Sequence, residues 1–265
     1  MLEQTLLSYI AEGWPLSEIV VVDNTGSSRQ NLHGLLSSDN HTFLNYTRLL
    51  QHYGVSIYRL PSRQSFAQLQ NFLLELAFES QWRDFYISHQ DVVVRRRFNS
   101  TLSVYQHILA DRTSTAPRAL TWFHYDWLSR VNVHAAVEIG TWDILIPWYP
   151  ADCDYYGRAR LKGFPILDYY AGEFYDVASC LSDPEKMLFW PPNTTEYQRV
   201  DEALKEMALE KGRNGKRSNN GRNTWQGREE HGISDDFGPR FQRMVGASRA
   251  NYRQKWGTRH RYFSG

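Results

Sequence analysis

The sequence predicts an α/β protein whose strands form a mostly parallel sheet. Three observations support this class: short apolar strands alternate with helices along the first part of the chain, polar turns follow the strands, and the composition is that of a globular protein. The chain has 265 residues, of which 42% are hydrophobic and 22% charged. This composition excludes a mostly disordered chain, a collagen-like chain and a coiled coil.

The first elements follow one another in a regular order. Apolar residues on one helical face predict a helix over Leu2–Ile10, and the continuous apolar run Ile19–Val22 predicts a strand buried on both faces. A strand at Val55–Leu60, a helix at Phe66–Phe78 and a strand at Asp84–Ile87 complete the alternation.

The pattern is less regular beyond residue 91. We predict a helix over Asn99–Ala110, a strand over Ala119–Tyr125, an aromatic turn-and-strand region over Val137–Trp148 and a helix from Tyr155 to Leu161.

The C-terminal part differs from the rest in composition. The stretch 211–228 is polar and rich in Gly and Asn, which predicts a mobile loop. We therefore predict a catalytic domain over residues 1–180 and a C-terminal extension over residues 181–265 that contains this loop.

The charge of the chain is unevenly distributed. The net charge is +1, which argues against a nucleic-acid partner, but residues 211–228 and 237–265 together carry 13 Lys and Arg and no acidic residue. The remaining chain has 17 basic and 29 acidic residues, a net charge of −12. We expect the acidic body to suit a cation, and the basic end to suit a diphosphate or a peripheral membrane contact.

Cysteine content and hydropathy exclude further classes. Two cysteines, Cys153 and Cys180, are too few for a disulfide scaffold or a four-thiolate zinc site. No apolar run reaches the length of a transmembrane helix. The segment Met1–Ala11 carries Glu3 and has the pattern of an amphipathic helix rather than of a signal peptide.

Acidic residues stand at the ends of predicted strands and at a predicted helix start. Asp23 follows the first strand, Asp91 follows the third, and Asp152 and Asp154 precede the helix at Tyr155. Ligands of open α/β sheets bind beyond the carboxyl ends of the strands. We therefore expect these carboxylates to converge around one crevice.

Three segments resemble a known family. They are EIVVVDNTG at 18–26, FYISHQDVVV at 85–94 and IGTWDILIPWYPADCDYYGRARLKGF at 139–164, with a KWG segment at 255–257. Their order and spacing resemble the inverting family 2 glycosyltransferases with the GT-A fold, in particular a fungal branch. The resemblance covers roughly residues 1–175 and implies a Rossmann-type mixed sheet flanked by helices.

The resemblance implies a metal-assisted transfer. The departing diphosphate of a sugar nucleotide is stabilised by Mn²⁺ or Mg²⁺ acting as a Lewis acid, and Asp91 takes the ligand position with His89 beside it. The family usually has an acid where His89 stands, and a His can bind manganese but lowers the negative charge of the site. The alternative role for Asp91 is to cap the turn that follows the strand.

The resemblance also assigns a base. Asp152 would deprotonate the acceptor hydroxyl, a role worth roughly 10²–10⁴-fold in rate. Asp154 would orient the helix start or the acceptor, and Arg158 is expected to pair with Asp154 at i+4. The alternative is that both acids merely stabilise a helix N-terminus, where the helix dipole favours negative charge.

Further contacts follow from the same resemblance. Asp23 and Asn71 would contact the nucleoside diphosphate sugar, and Trp142 and Asp143 would bind the acceptor, with Trp142 stacked on a sugar face. The alternatives are an exposed helical polar residue at Asn71 and a buried Trp142 beside a turn aspartate.

The predicted activity is inverting transfer of a hexose from a UDP- or GDP-linked donor to an unknown hydroxyl acceptor. A non-catalytic GT-A-like module that binds sugar nucleotide or glycan is the alternative. It is favoured by His89 and by Ala151 where the family has Glu. It is also favoured because the family has a strand ahead of the helix at Leu2–Ile10, with which this sequence begins, and lack of that strand is the expected cause if the chain is truncated and inactive. If an upstream anchor is missing, we expect a Golgi or other secretory-pathway membrane location, and otherwise a cytoplasmic one.

Overall fold

A computed structural model describes residues 1–25, 44–111, 118–217 and 237–257 of the chain. Helices and strands alternate along these ranges, which confirms the predicted α/β class. The elements in chain order are α1 (Leu2–Ala11), β1 (Val20–Asp23), β2 (Ser56–Arg59), α2 (Phe66–Glu79), β3 (Asp84–Ser88), β4 (Val92–Arg95), α3 (Val104–Asp111), β5 (Leu120–Trp122), β6 (Leu128–Asn132), α4 (Val133–Ile139), α5 (Ala151–Leu161), β7 (Ile166–Asp168), β8 (Glu173–Asp176), α6 (Pro184–Met187), α7 (Thr195–Arg217) and α8 (Phe237–Trp256).

Two compact units, each assembled from three separate stretches, make up the chain. The stretches of unit 1 are Met1–Ser62, Ser88–Thr115 and Tyr170–Trp225, and those of unit 2 are Arg63–Ile87, Ala116–Tyr169 and Gln226–Gly265. Both sides of the predicted boundary at residue 180 therefore contribute to both units, and the predicted domain division stays a prediction.

Unit 1 contains two small sheets covered by helices. Strands β1 and β2 pair in parallel, and β4 pairs with β8 in antiparallel orientation with Val92 opposite Asp176. The three valines of β4 are fully buried, whereas β1 alternates between buried and half-buried residues. The prediction that β1 is buried on both faces was therefore wrong, whereas β4 in the same unit is buried at every residue. Helix α1 packs on β4, where the Val94 amide donates to the Ser8 hydroxyl (3.1 Å).

Unit 2 contains a four-stranded mixed sheet in the order β3-β6-β5-β7. Strand β5 is antiparallel to β6 and parallel to β7, so the expected mostly parallel sheet is not observed. Its core contains many aromatic side chains. The Trp142 and Tyr155 rings stack at 4.4 Å, and Phe66 at the start of α2 meets Trp142 edge-on. Such ring pairs add to the stability gained from their buried apolar area.

The region from 137 to 148 differs from its prediction because α4 extends into it and no strand is present. The Asn132 side chain caps α4 by accepting from the Ala135 amide (2.8 Å), and Gly140 ends the helix with a φ of 90° that favours glycine. The chain then forms turns up to Pro150. The aromatic residues that suggested a strand are here held by packing around a turn.

Helix α7 continues through Arg217, so residues 211–217 of the predicted mobile loop are helical. Residues 218–228 of that loop lie outside the described residues. In the ranges that the structure describes, no helix combines the length and the apolar composition that crossing a bilayer requires.

The Asp154 carboxylate joins α8 to α5 inside unit 2. Its side chain is fully buried and accepts from the guanidinium of Arg158 (3.0 Å), the indole of Trp256 (2.8 Å) and the ammonium of Lys255 (2.8 Å). A buried carboxylate is tolerated when it is paired and hydrogen-bonded in this way. The helices α5 and α8 are therefore held together by one compensated charge.

We expect Asp154→Asn to lower the free energy of unfolding by about 1.5–3 kcal/mol, because it removes the buried charged acceptor of Arg158, Trp256 and Lys255. The measurement is urea denaturation followed by circular dichroism. Asp168→Asn, the same change at an exposed position in unit 2, is the control and should change stability by about 0.5 kcal/mol or less. Equal stability of the two variants would contradict the role of Asp154.

Candidate functional site

The first turn of α5 holds two acidic residues with different environments. Asp154 is fully buried, whereas Asp152 is half-exposed and accepts a hydrogen bond from the Tyr125 hydroxyl (3.1 Å). The free backbone N–H groups at a helix N-terminus stabilise negative charge there. Asp152 is therefore a half-exposed carboxylate held by a hydroxyl donor.

Tyr125 is the second member of this site. It is 47% exposed, and its φ of 47° is unusual for a residue other than glycine. Strained backbone of this kind is concentrated at functional sites. Partial burial and the negative charge of Asp152 raise the pKa of the Tyr125 hydroxyl. The hydroxyl therefore keeps its proton at neutral pH and acts as the donor to Asp152.

The sequence pattern does not indicate the contact of Tyr125 with Asp152. The predicted strand over Ala119–Tyr125 ends at Tyr125, but β5 ends at Trp122 and Tyr125 lies in a turn. The ring packs beside Trp122 at 5.3 Å, and the charge of Asp126 also acts on the hydroxyl. The only sequence signal was the position of an aromatic residue just after a strand.

Lys255 and Arg158 connect the predicted acceptor-side residues. The Lys255 ammonium contacts Asp143 (2.7 Å) and Asp154 (2.8 Å), and Arg158 binds Asp154 at i+4 as predicted. The Arg158 guanidinium also donates to backbone carbonyls at the end of α4, including that of Thr141 (2.9 Å). These charged side chains therefore pair with other groups of the protein. Acceptor binding by Asp143, Asp154 and Arg158 stays a prediction.

The hydrogen bond from Lys255 affects the pKa of the Asp143 carboxyl. Burial alone would raise the pKa of the Asp143 carboxyl, but the hydrogen bond from Lys255 and the one from the Leu145 amide outweigh it and lower the pKa. The stability that this ion pair contributes is present above the unfolded pKa of the carboxyl and is lost as the pH falls through the lowered value.

The side chain of Asn71 is fully engaged with the backbone of Trp142. It donates to the Trp142 carbonyl (3.0 Å) and accepts from the Trp142 amide (2.7 Å), which pins the turn after α4 to helix α2. The Trp142 side chain belongs to the core: the residue is 6% exposed and its ring is stacked on Tyr155. This burial favours the alternative of a core tryptophan, and acceptor binding by Trp142 stays a prediction.

Asp23 lies in unit 1, at the end of β1. It is 6% exposed and accepts from the Tyr46 hydroxyl and from the Thr25 amide (2.9 Å). Burial and the Asp23 carboxylate together raise the pKa of the Tyr46 hydroxyl, which therefore stays a donor. In this arrangement Asp23 closes its own turn, and its contact with a nucleoside stays a prediction.

Asp91 also lies in unit 1, in the turn between β3 and β4. Its carboxylate contacts the ammonium of Lys211 (2.5 Å), which α7 supplies. The His89 carbonyl accepts from the Val92 amide (3.3 Å), as in a tight turn. Among the described residues, no group of three or more His, Cys, Asp or Glu side chains is arranged to hold a metal ion. With Lys211 in place, Asp91 and His89 do not fit a divalent cation.

The candidate site is therefore the carboxylate of Asp152 with the hydroxyl of Tyr125, both in unit 2. Asp23 and Asp91 belong to unit 1, so the predicted shared crevice stays a prediction. Comparison of the chain with protein-family models, with characterised proteins and with solved structures finds no significant match.

Proposed function

We propose that the chain is an inverting GT-A-type glycosyltransferase that transfers a hexose from a UDP- or GDP-linked donor to a hydroxyl acceptor. The observation that carries the proposal is the separation of the two acids of α5. Asp154 is a buried anchor, and Asp152 remains accessible beside a protonated Tyr125. The α/β architecture and the order of the family-like segments support the same proposal.

Asp152 acts as the general base in this mechanism. The acceptor hydroxyl gives its proton to a carboxylate oxygen of Asp152 while the hydroxyl oxygen attacks the anomeric carbon. The bond between that carbon and the phosphate oxygen breaks on the opposite face, and its electron pair leaves with the nucleoside diphosphate. The configuration at the anomeric carbon is therefore inverted.

Tyr125 is a positioning residue for this base. Its hydroxyl donates to one carboxylate oxygen of Asp152 (3.1 Å) and so fixes the orientation of the carboxylate. Correct orientation of a reacting group lowers the entropic part of the barrier.

No step of the proposed mechanism uses a metal ion, because the ammonium of Lys211 compensates the predicted ligand Asp91. The resemblance implies that transfer depends on Mn²⁺ or Mg²⁺, and the transfer assay tests this dependence. Transfer is measured with and without each ion.

The alternative is a non-catalytic module that binds sugar nucleotide or glycan. The internal contacts of Asn71 with Trp142 and of Asp91 with Lys211 favour it, because they engage residues expected to contact the donor. Isothermal titration with UDP and GDP, combined with an assay of nucleotide release from their hexose conjugates, separates the two functions. Binding without release indicates the module, and release indicates the enzyme.

We expect Asp152→Asn to lower hexose transfer by about 10²–10⁴-fold, because the amide no longer accepts the proton of the acceptor hydroxyl. Transfer is measured as nucleoside diphosphate released from UDP- and GDP-hexoses. Urea denaturation should show a stability close to that of the wild type, since Asp152 is half-exposed. Full activity of the variant would reject Asp152 as the base.

Tyr125→Phe should lower kcat by about tenfold, the usual effect of losing a hydrogen bond of about 1.5 kcal/mol to a charged group. KM for the donor should stay unchanged, because the hydroxyl orients the base and does not bind the donor. Steady-state kinetics separates the two constants. A change in donor KM with an unchanged kcat would show that Tyr125 binds the donor instead.

A further inference from the structure

Lys211 places a positive charge inside unit 1. The residue is 8% exposed, although lysine is among the residues least often buried. Its ammonium donates to the carboxylates of Asp91 (2.5 Å) and Asp176 and to the carbonyl of Val177 (3.2 Å). Three N–H donors thus meet three oxygen acceptors, which satisfies the ammonium completely. We call these three acceptors the oxygen cluster.

The pairing of β4 with β8 brings the oxygen cluster together. The register places Val92 opposite Asp176, and the Val177 amide donates to the Asp91 carbonyl (2.9 Å). The two carboxylates therefore stand at the same end of two neighbouring strands. Like charges on adjacent strands repel, so this end of the sheet needs a cation. Helix α7, which packs on β8, supplies it through Lys211.

The oxygen cluster has the chemistry of a site for a hard cation. Carboxylate and carbonyl oxygens are the ligands preferred by Mg²⁺, Mn²⁺ and Ca²⁺, with metal–oxygen distances of about 2.0–2.6 Å. The Lys211 nitrogen lies 2.5 Å from Asp91 and thus near the point that such an ion would occupy.

A divalent ion does not fit beside Lys211. It would stand within a few ångströms of a buried ammonium, where a doubly charged and a singly charged cation repel each other strongly. The two carboxylates carry two negative charges, which is one more than the ammonium requires. An ammonium and a divalent ion together would carry three positive charges, which the two carboxylates cannot compensate. The ammonium and the metal ion are therefore mutually exclusive.

We infer that Lys211 is the resident cation of the oxygen cluster, and that removal of its ammonium opens a divalent-cation site there. The side chain is covalently attached, so it is present at every metal concentration. This inference concerns Asp91 and Asp176 alone and does not depend on the proposed glycosyl transfer.

The test is a titration of the full chain with Mn²⁺, with free Mn²⁺ measured by electron paramagnetic resonance. We expect the wild type to bind more weakly than about 1 mM. Lys211→Ala should bind one Mn²⁺ per chain at least about tenfold more tightly. The charge-preserving control Lys211→Arg should behave as the wild type, and adding Asp91→Asn to Lys211→Ala should abolish the gain.

Circular dichroism verifies that each variant is folded. A folded Lys211→Ala protein without the gain in Mn²⁺ affinity would overturn the inference. If Lys211→Ala does not fold, the inference is tested by comparing Mn²⁺ binding of the wild type with that of Asp91→Asn. One equivalent of Mn²⁺ bound by the wild type and lost in Asp91→Asn would overturn the inference, and no such binding by the wild type supports it.

Discussion

The proposed site depends on the pairing of the buried Asp154 carboxylate with Arg158, Lys255 and Trp256. A charge in an apolar interior is costly unless it is paired and hydrogen-bonded, and three donors from α5 and α8 meet this requirement. The arrangement fixes the first turn of α5 in the core of unit 2. Asp152, two residues earlier, is thereby held at the accessible side of the same turn, where Tyr125 contacts it.

In unit 1, carboxylates are likewise compensated by a lysine, but the residues come from different elements. There the acids come from the ends of two paired strands, and the cation comes from Lys211 of α7. In both units a long helix from the last third of the chain delivers a lysine to acids that lie earlier in the sequence. The basic C-terminal part was expected to meet an anionic ligand or a membrane. Two of its lysines, 211 and 255, compensate carboxylates within the protein, and the anionic ligand or membrane contact of this part stays a prediction.

Local patterns predicted the local elements. Periodicity located α1, α2 and β1 to β3 within a few residues, and the i,i+4 spacing predicted the pair of Asp154 and Arg158. The partners of Asp91 and Asn71 were not predictable, because they lie 120 and 71 residues away and only tertiary packing selects them. The burial of Trp142 was not predictable either, because an aromatic residue has the same sequence signal in a core and in a sugar-binding cleft.

The ammonium at the end of β4 and β8 also bears on how these strands align. Side chains alternate between the two faces of a strand, so a slip by one residue would turn Asp176 away from Asp91 and leave the ammonium with one carboxylate. The valines of β4 are all apolar and give little preference between neighbouring alignments. The ion pairs of Lys211 thus favour the alignment in which both carboxylates face the ammonium.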